Sequence, residues 1–84
     1  MQLINSQSLY FENHNLYVWA IQYSNGKIFI HSHKYKTTDF SCSESQQSTF
    51  VSNDLAHAVE CHIRMSHFIE ISMDEIQTEL AYCQ

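Results

Sequence analysis

The dipeptide Asn25-Gly26 constrains the fold of this chain more than any other feature of the sequence. It lies between two runs rich in β-branched and aromatic residues, a setting in which Asn-Gly favours a two-residue type I′ turn. We therefore predict an antiparallel hairpin with strands at 16–23 and 28–36. A two-residue loop would place Tyr23 opposite Ile28, and side chains alternate along each strand. The predicted core face of this hairpin carries six apolar or aromatic side chains: Tyr17, Trp19, Ile21, Tyr23, Ile28 and Ile30.

The other face of the predicted hairpin mixes apolar side chains with imidazole and amide groups. Its residues are Leu16, Val18, Ala20, Gln22, Phe29, His31, His33 and Tyr35. A face of this composition is neither a typical interior nor a typical solvated surface, so either another part of the chain covers some of it or it is a contact surface for another molecule. The second strand supplies the candidate partner-binding row: Phe29, His31, His33 and Tyr35.

Two helices are predicted in the C-terminal half of the chain. After Asp54, apolar residues recur at intervals of three and four, which predicts a helix over 53–66. Ser72 and Glu75 have the spacing of a capping box, and the apolar residues that flank it fit a hydrophobic staple. This signature predicts a second helix over 73–82.

Weaker patterns elsewhere complete a sheet. A short apolar run predicts a strand at 9–11, and a mixed segment predicts one at 38–43, followed by a polar loop at 43–48. Alternation predicts a further short strand at 68–71. The summed pattern predicts an α+β fold: a single domain spanning residues 1–84, with an antiparallel sheet of three to five strands and both helices packed on one face.

The charge of the chain is acidic and unevenly distributed. The formal net charge is −5, and the balance is +1 in residues 1–43 and −6 in residues 44–84. A chain without a basic surface is a poor direct binder of nucleic acid, whereas an acidic surface favours a basic partner. Four acidic residues are candidate contacts with such a partner: Glu70, Asp74, Glu75 and Glu79. Helix capping accounts equally well for the positions of Asp74 and Glu75.

Composition also excludes several classes of function. With one glycine and no proline, the chain can form neither a Walker-type nor a dinucleotide-binding loop, and no cofactor is expected. Three cysteines without a C-x-x-C pair are typical of a reduced, cytoplasmic protein rather than a secreted disulfide scaffold. No run of 18 apolar residues occurs, so we expect no membrane-spanning helix and no membrane partner.

Two further patterns bear on chemistry. His31 and His33 lie on one face of a predicted strand, at a spacing that suits two metal ligands, and Cys61, His62 or His67 could supply a third. Because structural zinc motifs have tighter Cys/His spacing, we favour a surface pair and predict no metal site. The chain also lacks a motif that orients a nucleophile and its base, so we predict no catalytic residues and no enzymatic activity.

In overall character the chain resembles small inhibitors encoded by phages and mobile elements, of the anti-CRISPR type. The shared features are small size, acidity, a sheet with helices and the lack of a catalytic motif. The resemblance implies a non-enzymatic module that docks on a basic surface of a larger protein or nucleoprotein complex and blocks it. The alternative is a structural or regulatory module that forms a homodimer through the sheet at 16–23 and 28–36. A small metal-binding protein is the third possibility.

Overall fold

One four-stranded antiparallel sheet carries two helices on one of its faces. The computed structural model describes residues 2–36 and 39–82, and of residues 39–43 only the backbone. The strands, in sheet order, are β1 (Leu3–Phe11), β2 (Leu16–Tyr23), β3 (Lys27–Lys36) and β4 (Asp39–Val51). The helices are α1 (Leu55–His67) and α2 (Met73–Tyr82), and a 3₁₀ turn at Glu12–His14 joins the first two strands. This architecture confirms the predicted α+β fold, with the β2–β3 hairpin at the centre of the sheet.

The turn between β2 and β3 differs from the prediction. The backbone N of Gly26 donates to the carbonyl O of Tyr23 over 3.1 Å, which closes a β-turn. Within this turn Gly26 alone has a positive φ, +87°, whereas a type I′ turn requires a positive φ at Asn25 as well. The loop therefore has three residues, 24–26, in the arrangement of a β-turn followed by a left-handed glycine.

The longer loop shifts the pairing of β2 with β3 by one residue. Gln22 lies opposite Ile28, in place of the predicted Tyr23, and Trp19 lies opposite His31. Because side chains alternate, this shift exchanges the two faces of β2 relative to β3. The predicted core face is therefore wrong for β2, whose aromatic side chains lie on the uncovered face. In their place the core takes Leu16, Val18 and Ala20.

The outer strands are longer than the sequence predicted. β1 extends back to Leu3 because it pairs with β2 along nearly its whole length, with one irregularity near Asn5. The predicted strand at 38–43 falls within β4 from residue 39 onward, and residue 38 lies outside the described residues. The predicted loop at 43–48 is wrong, since β4 continues through it to Val51. Its Ser, Thr and Gln side chains belong to an edge strand with one solvated side, where polar residues are tolerated.

The segment between the helices is also different. Residues 68–71 form no strand, because Phe68 takes the left-handed conformation with φ of 58° and ends α1. Its backbone N donates to the carbonyl O of Arg64 over 3.1 Å, as in a helix C-cap. The short connection that remains leads directly into α2.

Local capping explains where both helices begin. Asp54 precedes α1, and its Oδ1 accepts a hydrogen bond of 3.0 Å from the backbone N of the third helical residue. Ser72 precedes α2, and its Oγ accepts from the backbone N of Glu75 over 3.1 Å. Ile71 and Ile76, the predicted staple pair, are both buried. The predicted helix over 73–82 is confirmed, while the first helix starts two residues later than predicted.

The core lies between the helices and the inner face of the sheet. Its buried apolar residues are Leu9, Phe11, Leu16, Val18, Ala20, Ile28, Ile30, Ala58, Val59, Ile63, Ile71 and Ile76. Most are aliphatic, so the aromatic side chains of the sheet are concentrated on its other side. Neither helix in the described segments has the length and apolar content needed to cross a membrane.

Candidate functional site: the open face of the sheet

The face of the sheet opposite the helices, which we call the open face, carries a connected group of rings. Six side chains from three strands form this aromatic cluster: Tyr10, Tyr17, Trp19, His31, His33 and Tyr35. All six are partly exposed. They are in contact because alternate positions on neighbouring strands face the same side of a sheet.

The rings pack against one another across the strands as well as along them. Tyr10 and Tyr17 stack with centroids 4.4 Å apart, and Tyr17 stacks on Trp19 at 5.7 Å. Trp19 meets His33 edge to face at 5.4 Å, and His33 lies parallel to Tyr35 at 6.4 Å. These separations are in the range of favourable aromatic pairs. The cluster is therefore held in place before any partner binds.

The margins of the open face are polar on one side and apolar at one end. Along β4, Ser45 Oγ lies 2.8 Å from Nε2 of His31. Near the hairpin turn, a recess of about 300 Å³ is lined by Tyr23, Lys27, Phe29 and Thr49. Phe29 remains 41% exposed there, although it is a large apolar side chain.

The open face is almost free of charge. Among the strand side chains that the structure describes, none on this face is a carboxylate, and Lys27 at the hairpin end is its one cation. The charges of the sequence balance to zero outside residues 54–82, and that segment, which contains both helices, holds the whole net charge of −5. We call residues 54–82 the helical layer. The molecule thus has a neutral aromatic side and an acidic side.

The predicted partner-binding residues fall into two sets on opposite sides of the sheet. Phe29, His31, His33 and Tyr35 belong to the open face, together with the rings of β1 and β2. The acidic candidates belong to the helical layer: Glu70, Asp74, Glu75 and Glu79. The structure does not bring the two sets together, so one flat partner surface cannot contact both.

A buried polar network that was not predicted from the sequence lies beneath the sheet. Ser32 Oγ lies 2.6 Å from Nε2 of His62 and 2.7 Å from Nε2 of His67, and Nδ1 of His62 lies 2.7 Å from Ser48 Oγ. Nδ1 of His67 is buried and has no hydrogen-bond partner among the described residues. We assign the proton of His67 to Nε2, which donates to Ser32, because the other tautomer would bury an unpaired N–H. Ser32 then donates to His62, and His62 donates to Ser48.

Burial determines the protonation state of this network. His62 is fully buried, and its pKa is lowered to about 4, first by desolvation and then by the neighbouring His67 and His31. Desolvation is also the main reason why the pKa of His67 is lowered, with Lys34 acting in the same direction and Glu44 against it. Ser32 pairs with a histidine as a nucleophile would, but it is fully buried, so a substrate cannot reach it.

The candidate metal ligands are also separated by the sheet. His31 and His33 lie on the open face with ring centroids 4.6 Å apart. His62 and His67 hydrogen-bond to Ser32 beneath the sheet. Within the described part of the chain, no three histidine, cysteine or carboxylate groups converge as metal ligands.

No protein-family model, curated protein or solved structure matches this chain.

Proposed function

We propose that this protein is a non-enzymatic protein-binding module. It docks its open face on a basic surface of a larger protein or nucleoprotein complex and blocks that surface. The observation that carries the proposal is the aromatic cluster, which the chain's own helices leave uncovered. The chain has only three cysteines and no C-x-x-C pair, which supports a cytoplasmic site of action.

The composition of the open face fits protein recognition. The cores of protein interfaces are enriched in aromatic residues and depleted of charged ones, and binding energy is concentrated in a few side chains, often Trp and Tyr. The open face has Trp19 at its centre, tyrosines around it and one cation at its end. Rings fixed by mutual packing lose little conformational entropy on binding.

A basic partner is favoured by two independent features. Aromatic faces attract Arg and Lys side chains through cation–π interactions, worth about 0.5–2 kcal/mol each. The helical layer adds a negative field that attracts a positive partner at long range and raises the rate of encounter. The acidic residues Glu70, Asp74, Glu75 and Glu79 then act through this field and do not contact the partner. The same negative charge disfavours direct stacking on nucleic acid bases, which needs an electropositive groove.

The proposal is tested by affinity capture from the native host with matched variants. The face variant carries Phe29→Ala and Tyr35→Ala, and the control variant carries Met65→Ala and Gln77→Ala on the exposed side of the helical layer. Capture with the wild type, the face variant and the control variant is done in buffer with 1 mM EDTA. Urea unfolding verifies that each of the three proteins is folded. We expect the wild type and the control to recover one basic protein or nucleoprotein, less of it at higher salt, and the face variant to lose it.

Two results would contradict the proposal. Recovery of the same partner by the face variant would show that binding does not use the open face. A face variant that unfolds while the control stays folded would show that these side chains stabilise the monomer and are not free for a partner.

A further inference from the structure

The pair His31 and His33 occupies the middle of the open face. Both residues lie on β3, an inner strand, at alternate positions that face the same side. Their ring centroids are 4.6 Å apart with an interplanar angle of 49°. Both rings are partly exposed, so an ion arriving from solvent can reach them.

This separation suits two imidazoles that bind one metal ion. With a Zn–N distance of about 2.0–2.1 Å, the centre of each ligating ring lies about 3.2 Å from the ion, and two such rings at a tetrahedral angle have centres about 5 Å apart. The observed 4.6 Å is close to this value.

The surroundings of His31 provide a second observation. Its Nε2 lies 2.8 Å from Ser45 Oγ, which leaves Nδ1 to bind an ion. Metal-binding histidines usually hold their other ring nitrogen in a hydrogen bond of this kind, which orients the ring. The ring of His33 is held between the edge contact with Trp19 and the parallel ring of Tyr35.

Two imidazoles are half of a tetrahedral zinc site, and the part of the chain that the structure describes does not supply the other half. The remaining candidates of the sequence, Cys61, His62 and His67, belong to α1 on the far side of the sheet. No group of three metal ligands exists within the described residues. None of the described side chains can complete the site, so we look to a second copy of the chain for the missing ligands.

We propose that one Zn²⁺ ion joins two copies of this chain through their open faces, each copy supplying His31 and His33. The four strands are 8, 9, 10 and 13 residues long, and with a spacing of about 4.8 Å their shared length gives a face of roughly 600 Å². Two such faces bury roughly 1,200 Å², the lower end of the range for specific interfaces, so an added metal bond has a large effect on a marginal contact.

Charge also favours this arrangement over other pairings of the chain. The neutral faces meet, with the two sheets about 10 Å apart, and the acidic helical layers point outwards. The layers are then separated by several times the Debye length of about 8 Å at physiological salt, so their repulsion is screened. A dimer formed through the helical layers would instead bring two surfaces of charge −5 together.

The inference shares the open face with the proposed function but does not rest on it. The zinc-joined dimer hides the aromatic cluster, so zinc and a macromolecular partner compete for the same surface. Zinc binding is tested on the purified protein alone and partner capture in EDTA, so failure of one is distinguishable from failure of the other.

The experiment is a titration of the EDTA-treated, dialysed protein with ZnCl₂, followed by calorimetry and by light scattering after size exclusion. We expect one zinc ion per two chains, a doubling of the mass, and reversal by EDTA. The double variant His31→Gln/His33→Gln should lose both responses. The control His14→Gln/His57→Gln, which removes two histidines outside the aromatic cluster, should keep them. Ser45→Ala should weaken zinc binding about tenfold without changing the fold.

Three results would overturn the inference. The first is zinc binding by the double variant at the wild-type level. The second is one zinc ion per chain with no change in mass, which would show that water or another group completes the site. The third is no zinc response by the wild type at micromolar concentrations.

Discussion

The buried histidine network makes the stability of this fold depend on pH in a predictable way. His62 is fully buried with both ring nitrogens in contact with serine hydroxyls, and its pKa is lowered to about 4 by desolvation and by the nearby His67 and His31. In the unfolded chain the pKa of histidine is about 6.5. Between these two values the unfolded chain binds a proton that the folded chain does not. The contribution of His62 to the free energy of unfolding is therefore fully present above pH 6.5 and is lost as the pH falls towards 4.

The size of the effect follows from the two pKa values. One pKa unit corresponds to about 1.4 kcal/mol, so the full loss from His62 is about 3 kcal/mol by pH 4 and about 2 kcal/mol between pH 7.5 and pH 5. The lowered pKa of His67 acts in the same direction. Domains of this size are stable by about 5–10 kcal/mol, so the loss is a large fraction of the total.

Urea unfolding at pH values from 7.5 to 5 measures this loss, because most carboxylates remain ionised in that range. Trp19 is the one tryptophan of the chain, so its fluorescence follows the transition without interference. His62→Gln keeps groups that can bond to Ser32 and Ser48 but cannot take up the proton, so its stability should vary much less with pH. His57→Gln, at an exposed position of the same helix, should retain the wild-type dependence.

Two outcomes would refute the reasoning. A wild-type free energy of unfolding that is constant from pH 7.5 to pH 5 would mean that the folded state accepts the proton without penalty. An equal pH dependence in His62→Gln would mean that another group is responsible. A proton NMR titration of the histidines distinguishes these cases, since His62 should not titrate above pH 5.

Two smaller predictions concern helix ends. Ser72→Ala removes the acceptor for the backbone N of Glu75 and should lower the free energy of unfolding by about 1 kcal/mol. The control Gln77→Ala, at an exposed position of the same helix, should change the urea midpoint little. Equal midpoints for Ser72→Ala and the wild type would contradict the capping role of Ser72. Phe68→Gly should raise the free energy of unfolding by up to about 1 kcal/mol, because Phe68 is 89% exposed and has a φ of 58° that glycine adopts without strain. A lower urea midpoint for Phe68→Gly would show that the phenyl ring makes a stabilising contact.

The elements of this fold that could be predicted from sequence are those with strong local signals. The capping box at Ser72 and the apolar spacing after Asp54 specify both helices through contacts within a few residues. The Asn-Gly dipeptide likewise located the hairpin. The full lengths of the outer strands could not be predicted, because their pairing partners are distant in sequence and their own residues are mostly polar.

The buried network could not be predicted for a related reason. Ser32 occurs in an alternating strand segment and is 30 and 35 residues away from the two histidines that contact it. Its burial depends on the register of β3 and on the packing of α1 over the sheet. The one local indication is His62, which lies within the apolar stripe of α1 and is a hydrogen-bonded core histidine, as that position predicts.

The composition of the candidate site depends on a single residue in the turn. With a two-residue loop, the row of Phe29, His31, His33 and Tyr35 would share its face with the aliphatic residues of β2, and the surface would be mixed. The three-residue loop places the aromatic residues of β2 beside that row and sends the aliphatic ones into the core. The conformation of Asn25 distinguishes the two loops, because both accept the φ of +87° at Gly26 and only the two-residue type I′ turn needs a positive φ at Asn25 as well. An insertion or deletion of one residue in this turn would therefore move the aliphatic side chains of β2 to the open face and its aromatic side chains to the core. Both folding and partner binding should then be lost together.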